Sequence, residues 1–192
     1  MPQQPSFAGF DDAPATDRLF FAIFPDVAAA ANVTRLTRHL CDEHRLSGRP
    51  LATERLHVTI YHLGDHPGLP KKTVGEAIEA AANVVMPPFE VTFDYAMSFG
   101  RQKNAPFVLR GGDGVAKIVE FQRVLGVEME KAGLRHWTKS RPEPHVTLLY
   151  DRQPVDPQRV EPVSWKVREF VLVHSLLGKT QHIPLGRWPL RD

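Results

Sequence analysis

LHVTIYHLG at 56–64 and PHVTLLYD at 144–151 repeat one pattern, His-Val-Thr followed by a branched aliphatic residue, and each reads as a β-strand. Side chains alternate across a strand. In the first copy this predicts His57, Thr59 and Tyr61 on one face and Val58 with Ile60 on the other. The second copy sets His145, Thr147 and Leu149 against Val146 and Leu148 in the same way. Each strand would bury its aliphatic face and offer an imidazole and a hydroxyl, two residues apart, to an open face. The two histidines are 88 residues apart, about half of the ordered chain. If two similar lobes face each other across a cleft, two imidazoles and two hydroxyls surround one space.

The flanking sequence supports two lobes of mixed structure. LFFAIF at 19–24 reads as a buried strand, and Asp26 then caps a helix carrying Ala30, Val33, Leu36 and Leu40 at three-to-four spacing. A second helix starts near Lys71 with Val74, Ala77, Ile78, Ala81, Val84 and Val85 on one face, stopped by Pro87 and Pro88. Phe89, Val91, Phe93, Tyr95, Met97 and Phe99 alternate with less apolar residues as a half-buried strand. A strand at 107–110 turns through GGDG into a third helix with Val115, Ile118, Val119, Leu125, Met129 and Ala132 inward, ending near Gly133. Further strands are expected at 145–150, at 163–176 with a break near Arg168 and Glu169, and at 182–185. The order is that of an α+β protein with helices on mainly antiparallel sheet. Residues 1–17 are expected to be a flexible lead-in, and 18–192 a single bilobal domain.

Composition narrows the function classes. The longest apolar run, six residues, is far short of the roughly 18 needed to span a bilayer. No secretory signal is recognisable at the N-terminus, and a single Cys41 forms no internal disulfide, so a cytoplasmic protein that does not engage membrane is expected. Residues 1–100 hold 8 Lys and Arg against 12 Asp and Glu, whereas 101–192 hold 16 against 10. The second half is therefore the one suited to a phosphate-bearing partner. Within it, 131–141 carries Lys131, Arg135, Lys139 and Arg141 without an acidic residue.

Paired imidazoles and hydroxyls suit a phosphoester. One imidazole deprotonates an attacking water, the other protonates the departing oxygen, and the hydroxyls donate to the non-bridging oxygens. Histidine fills both proton roles near neutral pH. The arrangement needs no metal and no cofactor. His57, His62 and His66 lie close to Asp65, but His57 and His62 are expected on opposite faces, and no HExxH or cysteine pair is present. His62 and His66 then read as loop-end residues. Among aromatics able to stack on a base, Trp137, Trp165, Tyr61, Tyr150 and Phe24, Tyr61 is the one expected to share a face with His57 and Thr59.

RLFFAIFP at 18–25, RLHVTIYHLG, PHVTLLYD and the closing LVHSLLGKTQHIPLGRWPL resemble the 2H phosphoesterases, specifically the bacterial RNA 2′,3′-cyclic phosphodiesterases, also called 2′-5′ RNA ligase-like proteins. The likeness spans about 18–190. It implies a bilobal α+β fold of two pseudo-symmetric lobes, with both motifs facing a central cleft. It implies a cyclic phosphodiesterase, a hydrolase that opens a terminal 2′,3′-cyclic phosphate on RNA, tRNA fragments included, to a 2′-phosphate without metal; some members also join RNA ends through a 2′-5′ bond. By resemblance His57 is the proton donor, His145 the base, and Thr59 and Thr147 bind the phosphate. Many relatives carry Arg-Pro directly before the second histidine and often Arg five residues after it. Here Arg141 lies four residues upstream and Tyr150 five beyond, so both join Tyr61 as candidate substrate contacts. The other partners open to such a cleft are a small cyclic nucleotide or an ADP-ribose cyclic phosphate; a non-catalytic RNA-binding module is the non-enzymatic alternative. A monomer is expected.

Overall fold

The computed structural model describes residues 13–100 and 102–192. Eleven elements, apart from three short 3₁₀ turns, run in the order β1 (Asp17–Ile23), α1 (Val27–His44), β2 (Val58–His66), α2 (Lys71–Ala82), β3 (Phe89–Ser98), β4 (Ala105–Arg110), α3 (Ala116–Lys131), β5 (His145–Asp151), β6 (Gln158–Val167), β7 (Glu169–Leu176) and β8 (Gln181–Pro189). Most of the 1–17 lead-in lies outside the described residues. Its last residues are tied down, since the Thr16 N–H donates to the His66 carbonyl at 2.9 Å and Asp17 opens β1.

All strands pair antiparallel in one sheet of order β6-β3-β4-β5-β2-β1-β7-β8. The middle of that sheet is its weakest seam. β2 and β5 share a single residue pair, Val58 with Val146, while every other neighbouring pair runs for at least four. The molecule is therefore two four-stranded halves joined in the sheet by one bridge, the α+β bilobal arrangement expected from the repeat. The segment read as one broken strand at 163–176 divides at Arg168, and its two parts belong to different halves: β6 at one edge and β7 beside β1.

The helices form where local chemistry lets them. At α1 the Asp26 carboxylate accepts from the Ala29 N–H at 2.8 Å, and Arg45 closes the other end in the left-handed conformation at φ 52°. The buried stripe of Ala29, Ala30, Val33, Thr37 and Leu40 follows the expected period. α2 departs from expectation, because its buried face is Ala77, Ala80 and Ala81. Ile78 is 41% exposed, and Val85, past the helix end, is 60% exposed. Small alanines let α2 lie close to α3, and a branched side chain on that contact would hold the helices apart. Leu19, Phe21, Phe93, Phe107, Phe121 and Phe170 belong to one continuous core that includes both halves. Trp165 is part of it, stacked on Phe93 with centroids 5.1 Å apart, and so is unavailable to a base. Among the described residues, no helix is long and apolar enough to cross a membrane.

Candidate active site

The Val58–Val146 bridge puts the two motifs side by side. Continuing its antiparallel register sets His57 across from Thr147 and Thr59 across from His145, around a local two-fold axis. Both valines are fully buried, so the four polar side chains share the opposite face.

Each motif strand then breaks alternation at the same place. On β2 the register against β1 steps from Ala22–Thr59 to Phe21–Tyr61, leaving Ile60 as an extra residue. On β5 the register against β4 steps from Val108–Thr147 to Phe107–Leu149, leaving Leu148 extra. These are β-bulges, which reverse the facing of every residue beyond them. Ile60, Tyr61, Leu148 and Leu149 are all fully buried, and the next residues, His62 and Tyr150, turn to the cleft.

The bulges correct three expectations. Tyr61 is 0% exposed and donates its hydroxyl to the Gln122 carbonyl on α3 at 2.8 Å, so it contacts no substrate. Leu149 joins the core. His62 shares the cleft with His57 instead of facing away from it. Arg141 is also displaced, because the chain entering β5 passes on the helix side, where the Gln122 amide holds the Pro142 carbonyl at 2.8 Å. The positive charge of Arg141 acts on the Tyr61 hydroxyl, opposing the rise that burial gives its pKa, and Arg141 does not line the cleft. Between the Phe93–Val163 and Tyr95–Arg159 pairs three β6 residues, Val160, Glu161 and Pro162, stand against the single Asp94 of β3, and beyond this irregularity Ala96 and Ser98 are buried while Met97 and Phe99 are half-buried, against the alternation expected across 89–99.

The cleft has a volume of about 320 Å³ and takes in His57, Thr59, His145, Thr147, Tyr150 and His62. Tyr150 is 47% exposed at its edge. Both motif histidines are held identically. His57 Nδ1 lies 2.7 Å from the Arg55 carbonyl, and His145 Nδ1 lies 2.7 Å from the Glu143 carbonyl, each two residues upstream. A carbonyl only accepts, so in each ring Nδ1 carries the hydrogen and Nε2 keeps its lone pair when neutral. Aromatic neighbours fix the ring planes. His57 stacks on Phe20 at 5.0 Å, and the edge-on Phe99 ring lies 4.8 Å from His145.

Burial pushes the His57 pKa down to about 4; the Arg55 carbonyl opposes this, and His182, His145 and Arg55 add to it. Burial, then Arg110, also lowers His145. Both rings are thus neutral at pH 7 in the free protein.

Sequence reasoning missed three contributors. His182 on β8 stands edge-on to His57, with centroids 5.4 Å apart, and lines the cleft. Its Nδ1 is buried without a hydrogen-bond partner, and its pKa is lowered by burial and by Arg55. Arg55 lines the same wall, also with a buried and unpartnered Nε. Arg18 makes a two-pronged pair with Asp65, 2.7 Å on each prong, and Asp65 reaches His62 at 3.2 Å. Only position relative to the motif marks Arg55 in the sequence, and nothing local marks His182, which arrives from 125 residues away. Among the described residues, no three His, Cys, Asp or Glu side chains are grouped to hold a metal ion.

Comparison with known proteins identifies relatives of the same fold. The chain is 28% identical over 179 residues, 90% of its own length and 96% of the relative's, to RNA 2′,3′-cyclic phosphodiesterase of Escherichia coli (strain K12). The crystal structure of E. coli LigT complexed with 3′-AMP superposes with a TM-score of 0.65 at 25% identity, covering 93% of this chain and all of that one. A protein of Thermus thermophilus shares the fold at a TM-score of 0.72 and 18% identity, over 91% of this chain and 98% of its own. The sequence pattern of the 2′-5′ RNA ligase superfamily matches residues 24–179, and with both motifs on one cleft of the shared fold, the chain belongs to that superfamily.

Proposed function

We propose that this protein is a cyclic phosphodiesterase that opens a terminal 2′,3′-cyclic phosphate on RNA to a 2′-phosphate. The observation that carries this reading is the matched pair of imidazoles, each with Nδ1 tied to a backbone carbonyl and Nε2 free on the cleft side, each accompanied by a threonine hydroxyl. The name of the E. coli relative supports the same substrate. Water attacks phosphorus and loses its proton to His145 Nε2, while the P–O3′ bond breaks and O3′ takes the proton from His57 Nε2. His57 is neutral in the free protein, so it takes up its proton when the anionic phosphodiester binds, which reverses part of the cost of charging a buried imidazole. Thr59 and Thr147 donate to the non-bridging oxygens, and Arg55 supplies positive charge on the same wall. A 5′-hydroxyl in place of water gives 2′-5′ joining by the same proton transfers. The protein works in the cytoplasm as a monomer.

The test is incubation with an RNA ending in a 2′,3′-cyclic phosphate in the presence of EDTA. Opening to a 2′-phosphate is expected, with His57→Ala and His145→Ala each lowering the rate about 10²–10⁴-fold. Loss of activity in EDTA, restored by a divalent ion, would replace the two-imidazole scheme by metal catalysis. A substrate whose 3′ leaving group needs no proton separates the roles: His57→Ala recovers on it and His145→Ala does not. The opposite pattern exchanges the two assignments.

A further inference from the structure

A small apolar cluster adjoins His57 on β1 and β7. It consists of Phe20, Ala22, Val171 and Val173, with Phe24 packed on it. The Phe24 ring lies 6.0 Å from that of His57. Phe24 is also one wall of a second, open groove of about 570 Å³ between the start of α1, the β6–β7 link and β8. Val27, 90% exposed, adds apolar surface there, and the buried Val171 lies beneath. Lys166, Arg168 and Arg187 bring positive charge, and Asp26 and Glu169 bring negative charge. Both carboxylates are engaged locally, Asp26 as the cap of α1 and Glu169 with Arg187 at 2.6 Å. Glu90 is the cross-strand neighbour of Lys166 but closes no ion pair with it among the described residues. Lys166 and Arg168 are left as exposed cations in the groove walled by Phe24, whose ring adjoins the candidate catalytic histidine.

An aromatic and aliphatic floor flanked by unengaged cations is the chemistry that holds single-stranded nucleic acid, since bases stack and phosphates seek Lys and Arg. We propose that this groove binds the nucleotides preceding the cyclic-phosphate end of an RNA strand, a base against Phe24 and Val27 and the backbone phosphates against Lys166 and Arg168. The proposal rests on the phosphodiesterase reading and deepens it: the substrate is an oligonucleotide, and a mononucleotide fills only the first cleft.

The test compares adenosine 2′,3′-cyclic phosphate with a five-nucleotide RNA ending in the same group, using the wild type and the Lys166→Glu/Arg168→Glu double variant. The wild type is expected to open the oligonucleotide with a kcat/KM roughly tenfold or more above that for the mononucleotide. Two phosphate contacts on a single strand predict a slope of log kcat/KM against log salt of roughly −1.4 for the oligonucleotide. The double variant should lose the length advantage and the salt slope, while opening the mononucleotide at the wild-type rate. Equal kcat/KM for the two substrates in the wild type, or an equal loss on both in the variant, overturns the groove. If neither substrate is opened, the phosphodiesterase reading fails, and fluorescence anisotropy with the same labelled RNA decides the groove alone: binding weakened by the double variant supports it, and binding unchanged overturns it.

Discussion

At His57 one ring nitrogen is committed to the Arg55 carbonyl, and Nε2 alone is left for chemistry, in a site that favours the neutral ring. His145 is in the same state, through Glu143. If His57 must be charged and His145 neutral during turnover, the free enzyme competent to react is most abundant between their two lowered pKa values. The kcat/KM bell is therefore expected to peak on the acid side of 6.5 and to fall as pH rises through neutrality. Binding of the anionic substrate raises both values, so the kcat bell should lie at higher pH than the kcat/KM bell. Parallel pH profiles of the two parameters check this, and a peak in kcat/KM above pH 7 contradicts it. Thr59→Val and Thr147→Val remove one donor each, with an expected loss of about 1–3 kcal/mol of transition-state stabilisation and little change in fold.

The contact of α3 with β2 turns on one glycine. A Cβ on Gly126 would stand 2.6 Å from the Tyr61 hydroxyl, against 3.4 Å from the ring carbon that bears it. Gly126→Ala should destabilise the protein by about 1–3 kcal/mol through overpacking. Tyr61→Phe deletes the hydroxyl and its bond to the Gln122 carbonyl, a loss of about 1 kcal/mol. In the double variant the clash is gone, so the two losses should sum to more than the loss measured by urea unfolding, and additive losses would contradict the contact. Activity should survive in all three, because Tyr61 is behind the cleft wall. The elements themselves were legible from period and punctuation, Asp26 as a cap and alternation in the strands among them, although α2 ends at Ala82, ahead of the Pro87–Pro88 pair expected to stop it. The bulges were not, although both motifs show two apolar residues in succession after His-Val-Thr. Successive apolar residues fit an ordinary buried strand equally well, and only the partner strand shows where the extra residue falls.

The whole molecule carries the cost of keeping its histidines neutral. The unfolded chain protonates His57 near 6.5 and the folded chain near 4, so between those values the unfolded state binds more protons and stability falls as pH falls. The loss for His57 alone approaches about 3 kcal/mol by pH 4, and His145 and His182 shift in the same direction. Urea unfolding from pH 7 to pH 5 should show this decline in the wild type, and His57→Leu should lose about 2 kcal/mol less over that range. By itself the sequence determined the α+β class, the repeat and the shared face of imidazole and hydroxyl in each motif, His57 with Thr59 and His145 with Thr147, because strand period and residue chemistry are local properties. It did not determine that Tyr61 is core, that His62 and His182 face the cleft, or that Arg141 lies behind it. Those follow from strand register across the sheet and from a β8 residue packing on β1 and the first motif, contacts between segments whose separation along the chain carries no local signal. Tertiary packing decided them, since a one-residue step in register exchanges solvent for core for every side chain that follows.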